Sequence, residues 1–373
     1  MPRPSPQLPA DFVTNVLSLP FMKGFVSVAL LPEFQETRFA MTNGRDFLSA
    51  DHLVAVLDGP AELGGDVQRT NLHIAAMVGD PILVCEMIRL GATIDMADAS
   101  GKTPLFLAVE SLAHLSAALA IGVDQCVTAD LPKGRSMKRT HTVQVSRNDG
   151  LLRLQYVIRL LLEQHADPNC SGDGQTPLHM ACKFQNWDLI ELLLTYGANP
   201  LPPRPPGSRV PSPPTFFRSN ADKARFRALI ASTSGSSRPP RMCPCFSGNT
   251  LATCHDAEDK PFPLDFLCRC GSQKNFRKCC SKRRFTSYER WNEAEQWILP
   301  CETRPSPFLV PVGEPSDDFV DVAESAGVTI PKINITDGEV AAIYQQCAAE
   351  LSSRGLIDPA FEYAMKRVDF IPR

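Results

Sequence analysis

The sequence predicts a mainly α-helical chain: a helical repeat solenoid in its N-terminal half, then a small cysteine-rich module, then a helical C-terminal segment. Three observations carry this reading. A short Thr-x-Leu motif followed by apolar residues recurs three times between Thr70 and Cys182. Seven of the 13 cysteines crowd between Cys243 and Cys280 in two frames of the same spacing. The 33 prolines cluster between these regions, where they separate folded pieces.

The repeats come first. Thr70-Asn-Leu-His73-Ile-Ala-Ala76 returns as Thr103-Pro-Leu-Phe106-Leu-Ala-Val109 and as Thr176-Pro-Leu-His179-Met-Ala-Cys182. The first interval is 33 residues and the second 73, one further repeat length plus 40. A second apolar run ends near Gly91-Ala92, His165-Ala166 and Gly197-Ala198. This pattern resembles ankyrin repeats, which implies a Thr-Pro-Leu-His turn, two short antiparallel helices and a Gly-Ala loop per unit. The Thr176–Pro200 copy follows the family pattern, whereas Asn71 and Phe106 depart from it. A single helix pair cannot bury its apolar face, so stacked neighbours must share one core and the ends need caps. Residues 45–57 and the Asn220–Ser232 stretch, with Phe226, Leu229 and Ile230 on one face, have the helical spacing of such caps. The basic residues 113–152 fall between the two helices of the second repeat and are expected to form an extended loop.

These signals divide the chain into an N-terminal segment (1–44), a repeat domain (45–232) containing the 113–152 insertion and a Pro-rich stretch (200–214), a linker (233–240), a tandem module (241–284) and a helical C-terminal region (285–373). The 200–214 stretch should be extended, and Pro203-Arg-Pro-Pro206 has the form of a PxxP ligand or a plain spacer. Thr286–Leu299, with Tyr288, Trp291 and Trp297, is expected to be a helix. Thr336-Asp-Gly-Glu339 is a capping box opening another, with Val340, Ile343, Tyr344, Cys347 and Leu351 along one face and Gly355 as its stop. A last short helix is expected after Asp358-Pro359.

The chemistry lies in the cysteines. Cys243-Pro-Cys245 is followed after eight residues by Cys254-His255, and Cys268-Arg-Cys270 after eight residues by Cys279-Cys280. The offset is 25 residues at all four positions. Four sulfur or nitrogen donors suit tetrahedral zinc, and a closed set of four makes a structural site rather than a catalytic one. The frames resemble the SEC-C motif, whose Cys-Pro-Cys-Gly-Ser-Gly start and Cys-Cys or Cys-His end imply zinc binding and partner recognition. Phe246 stands where that family has glycine, while Gly271, Ser272 and Phe276 agree with it. Two zinc ions per chain are therefore expected. Spacing leaves open whether the ligands pair in sequence or interleave, with Cys243/Cys245 beside Cys268/Cys270 and Cys254/His255 beside Cys279/Cys280. Disulfides are the other use of such cysteines, but seven leave one odd and His255 unexplained.

A net charge of −3 excludes a wholly basic nucleic-acid binder. The absence of a long apolar run and of a signal-peptide pattern points to an intracellular, cytoplasmic or nuclear protein without a membrane partner. No phosphate loop, nucleophile elbow or His-Glu-x-x-His helix favours an enzyme. The expectation is a protein-interaction scaffold whose repeats take a protein partner through Met77, Val78, Lys183 and Phe184. The alternative is a nucleic-acid-associated protein. From Cys268 to Arg290 eight cations stand against Glu289 alone. Arg269, Lys274, Arg277, Lys278, Lys282, Arg283 and Arg284 form a basic patch for an acidic protein or for phosphates, with Phe276, Phe285 and Tyr288 placed to stack on bases.

Overall fold

Two threonine–histidine pairs start the repeat helices. Thr70 and Thr176 cap helices whose third residues, His73 and His179, turn their rings back to the cap, so that each Nδ1 accepts the threonine N–H at 3.1 and 3.0 Å. The imidazole here takes the place of the usual Glu or Gln of a capping box. In the computed structural model the described residues are 7–32, 34, 38, 68–120, 147–202, 210–235, 237–270, 272, 274–282, 286–303 and 337–354. The expected helices at 45–57 and after Asp358, the Pro203–Pro206 segment, Gly271, Arg283, Arg284 and Phe285 lie outside them. Packing divides the chain into two units, Met1–Leu267 with Tyr288–Cys301, and Cys268–Ser287 with Glu302–Arg373.

In the first unit α1 (Ala10–Leu17) precedes the repeats, which comprise α2 (Asn71–Val78), α3 (Pro81–Leu90), α4 (Pro104–Ala120), α5 (Arg147–Glu163), α6 (Pro177–Lys183) and α7 (Trp187–Thr195). The first helices α2, α4 and α6 stack side by side, and the second helices α3, α5 and α7 do the same behind them. Leu72, Leu105, Val109, Ile158, Leu161, Leu178, Ile190 and Leu193 are buried in the core between these layers. Gly91 and Gly197 end α3 and α7 with φ near +89°, a backbone that glycine adopts without strain. Among the described residues no helix is long and apolar enough to cross a membrane.

The ends of the array are closed differently. Helix α1 and the 3₁₀ turns Pro20–Met22 and Val28–Leu30 pack on α3 and α5. Two buried carboxylates hold this segment: Asp80 accepts the Val28 N–H at 2.8 Å, and Glu86 accepts the Gln7 N–H at 3.1 Å and pairs with Arg38. At the other end α8 (Asn220–Thr233) packs on α7, where Trp187 stacks on Phe217 at 5.0 Å and Phe217 meets Phe226. Within the Pro-rich stretch, expected to be extended, Pro213–Phe216 forms a 3₁₀ turn against α6 with Pro213 buried.

Two expectations are corrected. The insertion is not a loop throughout, because α4 continues to Ala120 and α5 begins at Arg147, with 121–146 outside the described residues. Leu115 and Leu151 give these extra turns an apolar side on the core. Thr286–Leu299 is not a helix. Strands β2 (Thr286–Asn292) and β3 (Trp297–Thr303) replace it, joined by a turn in which Asn292 Oδ1 accepts the N–H groups of Ala294 and Glu295. Ser287, Glu289 and Trp291 alternate inward, a period of two that outweighs the helical reading of the aromatic positions. With β1 (Lys260–Pro261) they make a sheet of order β1-β2-β3, Lys260 facing Glu289 in antiparallel register. Residues of the 233–242 stretch bond back to the repeats. Arg238 donates to the Ala166 carbonyl at 2.7 Å, His165 Nε2 contacts the Pro239 carbonyl at 2.8 Å, and Met242 N–H donates to Glu163 at 3.1 Å. The first cysteine frame thus belongs to the unit of the repeats and the second to the other unit, which also contains α9 (Asp337–Ser353) with Cys347 and Leu351 buried.

Candidate metal centres

The first cysteine frame folds on its own turn chemistry. Cys243 N–H donates to the Asn249 carbonyl at 2.9 Å, closing a loop in which Phe246 takes φ +58° and Gly248 φ +84°. A positive φ is costly for a bulky residue. Packing offsets the cost here, since the Phe246 ring lies 5.0 Å from that of Phe12. A 3₁₀ turn, Leu251–Thr253, then brings Cys254 and His255 back to the first two cysteines. Cys245 and Cys254 sulfurs are 3.6 Å apart, and His255 Nδ1 lies 3.2 Å from Cys243 Sγ and 3.4 Å from Cys254 Sγ. All four residues are buried. Leu251, and Trp291 and Ile298 of the β2–β3 hairpin, pack in one buried cluster with the three cysteines.

The second frame repeats this geometry. Cys268 N–H donates to Lys274 at 2.8 Å, and Cys279 N–H to Phe276 at 3.0 Å, as Cys254 does to Leu251. The backbones of Cys254 and Cys279 share an unusual conformation, φ/ψ −123/−106° and −133/−108°. Sulfur separations are 3.4 Å for Cys268–Cys270, 3.3 Å for Cys270–Cys279 and 3.8 Å for Cys279–Cys280. Cys270 and Cys279 are half-buried, so this centre is more open than the first. In each group the four donor atoms lie within 4.8 Å of one another, and each could hold a metal ion. The donor groups that could hold an ion cluster in sequence order, and no disulfide joins the described cysteines.

Each centre holds one thiol toward its thiolate. The Cys243 thiol, donating to Cys245, lowers the latter to about 3 against the opposing effect of burial, while Cys243 itself is pushed up by the same bond and by burial. Burial works against Cys270, but the Ser272 hydroxyl and the Cys279 thiol bring it down to about 7. Burial raises Cys268 to about 11 and Cys280 further. His255 rises to about 9 despite burial, because Cys245 and Glu289 both favour its charged form. Glu289 and its partner Arg89 were not legible as part of this site. The one signal was a lone acid in a run of cations.

Residues 155–194 match the family described as ankyrin repeats (many copies). The repeat segment is ankyrin-type. Over 159 residues the chain is 30% identical to neurogenic locus notch homolog protein 1 of Danio rerio, covering 40% of this chain and 6% of that protein. Over 142 residues it is 28% identical to B-cell lymphoma 3 protein homolog of Mus musculus, covering 37% of this chain and 30% of that protein. The chain thus spans under a third of the length of either relative.

On the ankyrin-type array, Met77 and Val78 end α2 and Lys183 and Phe184 end α6, with α4 between them. Val78 and Phe184 are 40% and 38% exposed, enough for contact with a partner. Met77 is half-buried with Arg69 directed at its sulfur, and the Lys183 ammonium lies 5.7 Å from the Phe184 ring centre. The equivalent α4 position is Glu110, paired with Lys102 at 2.9 Å, so this row is mixed rather than a continuous apolar strip. Of the basic residues, Lys274, Arg277, Lys278 and Lys282 are exposed and Arg269 is half-buried. Phe276 is buried and not available to stack on a base, and Tyr288 lies beneath Arg290, which is itself paired with Asp259 at 2.7 Å.

Proposed function

We propose that the protein is a non-enzymatic interaction scaffold. Its ankyrin-type repeats engage a protein partner, and two structural zinc ions, one per cysteine centre, hold the segments that follow. Ankyrin repeats imply protein–protein interaction, and the observation that supports the rest is the closure of each centre on four sulfur or nitrogen donors. Tetrahedral zinc with Zn–S near 2.3 Å and Zn–N near 2.05 Å has S···S edges of about 3.8 Å and S···N edges of about 3.5 Å. The observed separations of 3.2–3.8 Å are close to these edges. Cys243, Cys245, Cys254 and His255 would hold one ion, and Cys268, Cys270, Cys279 and Cys280 the other. A set of four leaves no position open for a substrate, so the ions would supply structure rather than reaction chemistry.

For the repeats, Met77, Val78, Lys183 and Phe184 form the contact row. Replacing Met77 and Phe184 together by serine should abolish capture of the main cellular partner with little change in melting temperature. A large fall in melting temperature would instead make them packing residues. A second reading is favoured by the four exposed cations of the 274–282 segment: an anionic partner, protein or nucleic acid, would bind there. Phosphate binding should weaken steeply as salt rises, and a salt-independent interaction would exclude it.

A further inference from the structure

We infer that Arg89 and Glu289 are positioning residues for metal ligation by His255, and that they couple occupancy of the first centre to the packing of the first repeat. The inference rests on the zinc reading above. His255 presents Nδ1 to the sulfurs of Cys243 and Cys254 at 3.2 and 3.4 Å, which turns Nε2 away from the centre. An imidazole that ligates through Nδ1 keeps its proton on Nε2, and that proton needs an acceptor. Glu289 Oε2 lies 3.4 Å from Nε2. The second oxygen of the same carboxylate accepts from Arg89 Nη2 at 2.5 Å. Arg89 stands on α3, in the last turn of the first repeat, and its guanidinium lies 5.5 Å from the ring centre of Phe266. Arg89, Glu289 and His255 are all buried. The chain of contacts therefore runs from a repeat helix, through the hairpin strand, to a ligand.

Charge gives Arg89 its second task. Zinc with three thiolates and a neutral imidazole carries one net negative charge, and a buried carboxylate beside it adds another. Arg89 returns one charge and makes the carboxylate tolerable there. The second centre has Cys280 at the position of His255, and a thiolate needs no such acceptor. The relay is accordingly a property of the first centre alone.

The test is a chelator competition on the full chain that resolves the two zinc affinities, run beside cobalt substitution. Glu289→Gln should weaken one site by about 10- to 100-fold, leave the other unchanged and shift the cobalt d–d bands of the weakened site. The pair Arg89→Met/Glu289→Gln removes both buried charges together, leaves neither charge unpaired, and should weaken the same site. In a His255→Cys background Glu289→Gln should no longer weaken it. Chelation should also lower the melting temperature of the wild type more than that of the paired variant. Unchanged affinities in both Glu289 variants, or an undiminished effect in the His255→Cys background, would overturn the positioning role. Equal melting shifts would overturn the coupling. A wild type that binds fewer than two zinc ions would overturn the zinc reading itself, and this inference with it.

Discussion

His73 joins two repeats with one ring. Its Nδ1 accepts from Thr70 N–H at 3.1 Å, and its Nε2 meets the Lys102 carbonyl of the next unit at 3.1 Å. This arrangement needs a neutral ring, and burial lowers its pKa, outweighing the raising influence of Lys102 and Asp98. The folded chain therefore binds this proton less readily than the unfolded chain. The contribution is complete above the ordinary value near pH 6.5 and declines as pH falls toward the lowered one. Denaturant unfolding between pH 7 and 5 should show stability falling. His73→Ala, costing about 1–3 kcal/mol through two unpaired buried groups, should flatten that slope. His73 was legible because the Thr-x-x-His turn is local. His165 was not. It stands where the other repeats have Gly91 and Gly197, holds φ +67°, and reaches the Pro239 carbonyl 74 residues on. His165→Gly should relieve the backbone yet speed hydrogen exchange at 237–242. Unchanged exchange would mean that this contact does not anchor the segment.

At the level of elements, the helix pairs were readable because their apolar spacing and their turn residues agree. Ile158 on α5 is fully buried between the layers, and Ile158→Ala should cost about 2–5 kcal/mol in denaturant unfolding. The β2–β3 hairpin was misread as a helix carrying Tyr288, Trp291 and Trp297, because the decisive inward alternation includes Ser287 and Glu289, residues that rarely mark a core. Glu289 is inward because Arg89 and His255 neutralise it, and neither partner is near it in sequence. The two cysteine frames, by contrast, were legible as clusters that could hold a metal ion, since each closes within 13 residues. Cys279→Ser should remove one zinc and leave the centre at Cys243, Cys245, Cys254 and His255 filled. Loss of both ions would contradict the grouping by sequence order.

On the scale of the whole chain, the repeats announced themselves but their N-terminal closure did not. The segment from Gln7 to Leu31 carries no repeat motif, and it is held by Asp80 and Glu86 across more than 50 residues of sequence. Any apolar segment with free N–H groups satisfies that requirement, so composition alone does not identify it. Similarly, the division of the two cysteine frames between two units follows from long-range contacts of Arg238, Met242 and Glu289 rather than from their matching spacing. The proposed function depends on each of the two groups of four sulfur and nitrogen donors holding one ion. The most direct test is the native mass of the intact chain, purified without chelator and then treated with one. Two zinc ions per chain, both lost on chelation, are the predicted result; one ion or none before chelation would contradict the account.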